Sequence, residues 1–389
     1  MRILFINSIQ MFGGGEVWLF RTMHELNRRG HSVHLLCRSG TVLEARARTF
    51  GFNVHVLHVR GDFDPVCIAK AALLMRRLKP DVVCTNLDKD LRFGGVAAKW
   101  AGVKAVVPRR GIDHPLKNTW AYRFAYTVLA AGVIANSKAT KQALLRNSPW
   151  LEPNKIRVVY NGVEAGAFAG PAKADLRGML GIGREQFLFG FVGQLDERKG
   201  VDTLLKAFKR LTAAEPRACL WVVGEGKLES DLRRMAKECR GRVAFSGFRD
   251  DVEDVMKTVD ALVLPSLWEG FGIVLIEAMA AEKPVITTNV SNMPEIVTHG
   301  VDGILIPPSD PPALARAMHD LIRNPVLARN MGRAGRRTVL RRFTLTKMVD
   351  AVESFFIECT AIKRSARCSK TRQPWNPEPA PEYNEKPHP

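Results

Sequence analysis

No stretch of this sequence is apolar for long enough to cross a bilayer. The longest uncharged run, Phe124 to Ala135, falls well below the ~18 to 20 residues a spanning helix needs, so any membrane contact is expected to be peripheral. The N-terminal apolar stretch, Ile3 to Ile6, is too short for the apolar core of a signal peptide. Seven cysteines (37, 67, 84, 219, 239, 359 and 368) contain no Cys-x-x-Cys pair and no Cys/His spacing of zinc-ligand type. That argues against a disulfide framework and a zinc site, and for reduced thiols, mostly core residues, in a cytoplasmic protein. Acidic side chains are outnumbered, 39 Asp and Glu against 58 Lys and Arg, which leaves a net charge of +19. Such a field favours phosphates, anionic lipids or nucleic acid without choosing among them. Aromatic residues do not interleave with the basic clusters and no nucleic-acid module is recognisable, so no nucleic-acid partner is expected.

What the chain does have is core-forming material: 389 residues, 46% hydrophobic and 25% charged, enough for two cores. In the first half, short apolar runs (Ile3 to Ile6, His31 to Cys37, Asp81 to Thr85) alternate with amphipathic ones (Glu16 to Arg29, Pro65 to Leu78). This is the rhythm of strand, crossover helix and parallel strand. Gly30 reads as the left-handed cap that stops the first helix. Val103 to Val107, Gly132 to Ala135 and Ile156 to Tyr160 read as further strands of that sheet. Between Asn161 and Gln186 the composition turns to Gly, Ala and Pro, as suits an interdomain connection. A second alternating series then begins, with strands at Phe187 to Val192, Cys219 to Val223, Val243 to Phe245, Ala261 to Leu264, Val285 to Thr288 and Gly303 to Ile306. Helices Val201 to Ala213 and Leu228 to Cys239 separate some of them.

The expected fold is therefore α/β, two tandem Rossmann-like domains with a ligand cleft between the carboxyl ends of their strands. The boundaries are 1–165 for the first domain, 166–345 for the second, 346–359 for a C-terminal helix and 360–389 for a basic, Pro-rich tail expected to be disordered. The first 165 residues hold 25 Lys and Arg against 11 Asp and Glu, most of the positive excess. This is read either as a solvated face or as a surface for an anionic membrane or acceptor, centred on Lys104, Arg109, Arg110, Lys117 and Arg123.

Three segments can carry chemistry. Gln10-Met-Phe-Gly-Gly-Gly-Glu16 follows the first strand and opens a helix, so Gly14 and Gly15 can bring backbone amides to a phosphate; Phe12 to Gly15 as a mere tight turn is the alternative. Gly193-Gln-Leu-Asp-Glu-Arg-Lys-Gly200 places Arg198 and Lys199 at a strand's carboxyl end, where two cations and free amides suit a diphosphate. Pro265-Ser-Leu-Trp-Glu269-Gly-Phe-Gly-Ile-Val-Leu-Ile-Glu277-Ala-Met-Ala carries two carboxylates, the first in a loop and the second one turn into a helix. A carboxylate there can accept two hydroxyls of one sugar.

With that segment the chain resembles the retaining, two-domain GT-B glycosyltransferases of family 4 (group 1), over residues 1 to about 357. The carrying motifs are Glu-x7-Glu (Glu269 and Glu277), followed by KPVITTNV, PEIV and GILIPPSD, and preceded by GQLDERKG, VVGEGKLESDLRRMA and VAFSGF. The resemblance implies a hexosyltransferase that moves a sugar from a nucleoside diphosphate sugar to a hydroxyl of a glycan, glycolipid or lipid-linked saccharide, with retention, as in cell-surface polysaccharide or lipopolysaccharide synthesis. It implies an acceptor-binding first domain and a nucleotide-sugar-binding second domain, with Glu277 on the nucleotide ribose, Glu269 near the sugar hydroxyls, and Gly270 and the Phe271 and Gly272 amides alongside. Lys199 would bind the diphosphate, Gly14 and Gly15 would close over it, Gly193 would be a further donor-binding position, and Gly224, Glu225, Gly226 and Phe248 would line the region of the base.

Two positions depart from the family pattern. Gln194 stands where an arginine is common, and Arg198 is the candidate stand-in. Where many members have a histidine at the end of a strand, this chain reads Val107-Pro-Arg109-Arg110-Gly-Ile-Asp113-His114. Arg109, Arg110, Asp113 and His114 are therefore the acceptor-site candidates. No cofactor and no metal are expected, although Asp62-Phe-Asp64 and Asp88-Lys-Asp90 match a short metal-binding pattern. The expected location is cytoplasmic, on the cytosolic face of an anionic membrane. The alternatives are a sugar-nucleotide epimerase or hydrolase of the same fold, and a non-catalytic polyanion-binding protein.

Overall fold

The computed structural model describes residues 1–10, 13–58, 64–239 and 241–369, with side chains described as far as residue 361. The first sheet consists of β1 (Arg2–Asn7), β2 (Ser32–Arg38), β3 (Asn53–Leu57), β4 (Val82–Thr85), β5 (Ala105–Arg110), β6 (Val133–Ala135) and β7 (Ile156–Val158). The second consists of β8 (Phe187–Val192), β9 (Ala218–Val223), β10 (Val243–Phe245), β11 (Ala261–Leu264), β12 (Val285–Thr288) and β13 (Ile304–Ile306). Their orders are β3-β2-β1-β4-β5-β6-β7 and β10-β9-β8-β11-β12-β13, and every pairing is parallel.

Period-two alternation explains why the strands are apolar throughout. In β1, Leu4 and Ile6 enter one hydrophobic cluster while Ile3 and Phe5 enter another on the opposite face. Strand β3, at the sheet edge, escapes a search for apolar runs because Asn53 and His55 interrupt it, and none of its residues is fully buried. Gly30 adopts φ +82 after the helix Gly14–Arg28, the left-handed stop expected of it.

The final helix, Leu345–Ser369, runs past the expected end at 359. Met348, Val349, Val352, Phe355, Phe356 and Cys359 recur at helical spacing and join Ile3, Phe5 and Trp18 of the N-terminal lobe in one core. A methyl group at Gly132 would lie 2.5 Å from the Phe355 ring, so that glycine makes room for the helix. The chain's two crossings between lobes are hydrogen-bonded to one another. Val163 N donates to Phe343 O at 2.9 Å and Leu345 N donates to Val163 O at 2.9 Å.

One sequence expectation is corrected here. Arg109 and Arg110 end β5 and are buried, at 5% and 8% exposure, so they cannot belong to a basic surface. Lys104 precedes the opposite end of the same strand and pairs with Asp81 at 2.5 Å, roughly 16 Å of strand away. Only Lys117 and Arg123 of that group are exposed near the cleft end. Six cysteines (37, 67, 84, 219, 239 and 359) are buried and unpaired, while the side chain of Cys368 lies outside the described residues. Phe12, Asp62 and the tail from 370 also lie outside them.

Candidate active site

In the second sheet β8 lies between β9 and β11, so the chain leaves it in opposite directions and the order reverses between β8 and β11. A crevice opens at such a switch point, outside the carboxyl ends of the strands. The loops that rim it are 193–200 after β8 and 265–272 after β11. They pack directly together: Gly200 has φ +62, and a Cβ there would lie 2.3 Å from the Pro265 carbonyl oxygen.

This contact sets two side chains against each other. Lys199 Nζ lies 2.5 Å from Glu269 Oε2, and both side chains are largely buried, at 14% and 12% exposure. Ser266 Oγ donates to the same oxygen at 3.2 Å, and the Gly270 amide donates to Glu269 Oε1 at 3.1 Å. Glu269 is therefore held in one orientation by three donors. Arg198 is held by Asp196, and its Nη2 donates to Gln194 Oε1 at 3.2 Å, which puts its guanidinium at the tip of the Gln194 side chain. The same guanidinium lies over the Trp268 ring, 5.5 Å from its centre.

Gly272 has φ +75 and leads into the helix Ile273–Ala280 that carries Glu277. The Phe271 ring turns away from the crevice into the core, beside Tyr160 and Phe343, leaving only its backbone toward the loop. Gly224 has φ +131, and a Cβ there would sit 1.9 Å from the Gly193 carbonyl oxygen; one at Gly226 would sit 2.3 Å from that of Leu195. These glycines let the loops after β8 and β9 touch backbone to backbone. Phe248 is 55% exposed, and its amide donates to Glu225 Oε1 at 3.1 Å.

The N-terminal lobe supplies the facing wall. Gly14 opens the first helix so close to the other lobe that a Cβ on it would be 3.8 Å from Ile273 Cδ1. Glu16 caps this helix, accepting from the Gly13 amide at 3.0 Å and from Asn7 Nδ2 at 2.8 Å, and burial raises its pKa. A Cβ on Gly15 would be 3.3 Å from Asn86 Nδ2 and 3.7 Å from the Arg109 guanidinium. Arg109 lies over Trp18, and burial lowers its pKa to about 10. Arg110 bonds Asp88 at 2.5 Å and the His114 carbonyl at 3.0 Å. Asp113 accepts from Trp268 Nε1, and His114 stacks on the Trp268 ring at 4.4 Å and 7°. Of the four acceptor candidates, then, two are buried inside the lobe and two meet the opposite loop.

Four further side chains join the lobes. Arg21 Nη2 bonds Glu277 Oε1 at 2.7 Å. Asn136 Nδ2 donates to Gly111 O at 3.1 Å and to Gly270 O at 3.0 Å, one amide holding both walls. Glu295 accepts from the Lys138 and Ala139 amides at 2.9 and 2.7 Å, at the N-terminus of the helix Lys138–Arg146, and from Tyr160 Oη at 2.9 Å. Trp268 is the fourth. Sequence reasoning passed over all four as functional groups: Trp268 and Glu295 lay inside quoted motifs, but for Arg21 and Asn136 no local signal exists, because their partners are 256 and 134 positions away.

Of the carboxylates that matched a metal-binding pattern, the three among the described residues are otherwise engaged: Asp64 accepts from the Val66 and Cys67 amides and caps the helix Pro65–Leu78. Asp88 accepts from Arg110 and from Tyr126 Oη at 2.6 Å, and Asp90 is buried against Ser8. No group of three or more His, Cys, Asp or Glu side chains suited to a metal ion occurs among the described residues.

Comparison with known proteins agrees with this architecture. The family described as glycosyl transferases group 1 matches residues 173–338, and the one described as glycosyltransferase family 4 matches residues 12–166. A Bacillus subtilis (strain 168) protein, EpsD, is 31% identical over 352 residues, 84% of this chain and 89% of EpsD. An Escherichia coli UDP-Gal:alpha-D-GlcNAc-diphosphoundecaprenol alpha-1,3-galactosyltransferase is 29% identical over 388 residues, 93% of this chain and 98% of that one. Among solved structures, Anabaena Alr3699/HepE in complex with UDP superposes with a TM-score of 0.81 at 21% identity, covering 92% of this chain and all of that one. A glycosyltransferase from Rickettsia africae ESF-5 gives 0.83 at 20% identity, covering 92% and 98%. The chain belongs to the group 1, family 4 glycosyltransferases and has their GT-B fold.

Proposed function

We propose that this glycosyltransferase moves a hexosyl unit, with retention at the anomeric carbon, from a uridine diphosphate sugar to a hydroxyl of a lipid-linked or glycan acceptor. The observation that carries the proposal is the Lys199–Glu269 pair at the switch-point crevice, facing a glycine-opened helix of the other lobe. Lys199, Arg198 and the amides of the glycine loops would neutralise charge that develops on the leaving diphosphate, and being already in place they need no reorganisation. Glu269, fixed by three donors, would direct a sugar hydroxyl. Glu277 would hold the ribose. The leaving phosphate itself would take the acceptor proton, so no side-chain nucleophile and no metal are assigned. The lobes closed on each other would keep water from competing with the acceptor.

The choice of uridine is supported by the Alr3699/HepE complexes with UDP and with UDP and glucose, and that of a lipid-linked acceptor by the named substrate of the Escherichia coli relative. Among the described residues no helix is long and apolar enough to cross a membrane. Lys117, Arg123 and Trp120, the last 74% exposed, stand on the loop and helix beside Asp113 and His114, where they would rest on an anionic cytosolic leaflet next to the acceptor site.

A thermal-shift screen against UDP, GDP and ADP sugars tests the donor, followed by transfer of labelled sugar to a polyprenyl-diphosphate saccharide. Stabilisation by a UDP sugar and a labelled lipid product are expected. Conversion of the free sugar nucleotide to its epimer would overturn the reaction class.

A further inference from the structure

Glu277 is almost fully buried, at 5% exposure, and its one charged partner among the described residues comes from the opposite lobe. Arg21, on the first helix, uses Nη2 to bond Glu277 Oε1 at 2.7 Å. The bond leaves something over on each side. Arg21 Nη1 is buried with no hydrogen-bond partner, and Glu277 Oε2 has no protein donor among the described residues. A buried N–H without an acceptor costs about 1–3 kcal/mol, so a pair finished in this way is poorly explained as a structural brace.

The chemistry left over is one donor and one acceptor, on a pair whose charges cancel. A phosphate would be repelled by the carboxylate, whereas a hydroxyl both donates and accepts and suits the pair at no net charge. Two neighbouring hydroxyls on one ring would use both groups. The same wall also reaches the other end of the site, for Arg46 lies over the Phe248 ring at 5.4 Å.

We infer that Arg21 is a donor-binding residue: with Glu277 it forms a two-lobed clamp on the vicinal diol of the nucleotide ribose. This rests on the reading of Glu277 as the ribose carboxylate. Its consequence is that the donor is gripped from both lobes at the sugar of its nucleoside, and binding and closure are one event. The first helix thereby serves the nucleotide with a side chain as well as with the amides at its N-terminus.

The test is the affinity of the full chain for UDP, GDP and ADP, each against its 2′,3′-dideoxy form, measured by calorimetry for the wild type, Glu277→Gln, Arg21→Met and Arg21→Lys. For the nucleotide that binds best, the wild type is expected to favour the ribose form by about tenfold or more, the worth of hydrogen bonds to charged groups. Both Glu277→Gln and Arg21→Met should lose most of that preference. Arg21→Lys keeps the charge and guards against a misfolded methionine variant; lacking a second planar donor, it should fall short of the wild-type preference. An Arg21→Met or Arg21→Lys protein with the full preference, beside a Glu277→Gln protein without it, would overturn the role of Arg21 and leave the ribose reading standing. Equal affinity of the wild type for both forms would overturn that reading and this one together. Tighter binding by Arg21→Met would make the arginine an obstacle to the nucleotide, which also overturns the clamp.

Discussion

Lys199 and Glu269 are seventy positions apart and meet at 2.5 Å, each at the carboxyl end of a different strand of the second sheet. Each needs the other's loop to be where it is. Replacing either by alanine is expected to lower kcat/KM at least about 10²-fold, the scale for losing one preorganised electrostatic group. The double variant should be little worse than the worse single one, because the two act as a unit. Circular dichroism and steady-state kinetics on the three variants check this; fully additive losses would show two independent roles.

Glu295 holds the opposite lobe by two helix-terminal amides and a tyrosine hydroxyl. Glu295→Ala removes charge-assisted bonds and a favourable helix-dipole contact, together about 1–3 kcal/mol. Since the bonds cross the hinge, the loss should appear as a KM for the donor raised roughly tenfold, with the melting of each lobe little changed. An unchanged KM would show that the lobes close without it.

Asp90 gives a pH prediction whose sign is fixed by burial. Burial lifts its pKa to about 7 in spite of the hydrogen bonds from Ser8, which act the other way, whereas an unfolded aspartate titrates near 3.9. Between about pH 4 and 7 the folded protein therefore keeps a proton the unfolded chain has released, and this residue's contribution to stability falls as pH rises through that window. Asp90→Asn should flatten stability against pH there, by at most about 1.4 kcal/mol per pH unit. Urea titrations of both proteins at pH 4.5, 5.5 and 6.5 measure it, and identical slopes would place the proton elsewhere.

Two glycines separate the site from the scaffold. A Cβ at Gly332, in the helix Pro325–Arg342, would lie 1.9 Å from the carbonyl oxygen of Glu282, in the turn that follows the helix Ile273–Ala280. Gly332→Ala should cost about 1–3 kcal/mol of stability as the helix is forced away from that turn. Gly224→Ala meets an equally short contact, with Gly193 O, but in the crevice loops and at φ +131. It should abolish nucleotide-induced stabilisation even at temperatures where the protein remains folded. Calorimetry with and without UDP distinguishes the two.

Chelation is expected to leave the transfer rate unchanged, since the assigned charge neutralisation comes from Lys199, Arg198 and backbone amides. Assays with and without excess EDTA, and with added Mg²⁺ or Mn²⁺, decide it. A rate that falls with EDTA and returns with metal would remove that assignment.

The sheets were legible from the sequence because their interior strands are buried on both faces, which leaves apolar runs such as Ile3 to Ile6 and Phe187 to Val192 without interruption. The edge strand β3, solvated on part of its surface, left no such trace. The crevice loops were legible for a related reason: Gly200, Gly224 and Gly272 occupy conformations or contacts that other residues fill only with strain, so chemistry and backbone geometry mark the same short segments. Arg109 and Arg110 show the limit. As sequence they read as surface charge beside a strand; as structure they are interior cations held by an aromatic ring, amide side chains and Asp88.

The sequence by itself determined the class of fold, the position of the glycine-rich crevice loops and the two carboxylates, since each is written in the spacing of neighbouring residues. Only the tertiary structure decided which groups meet across the cleft: Arg21 with Glu277, Asn136 with Gly270, Glu295 with the helix at Lys138, and Trp268 with Asp113 and His114. The reason is physical. Periodicity reports the face on which a side chain is buried, but it carries no information about the distant segment that buries it.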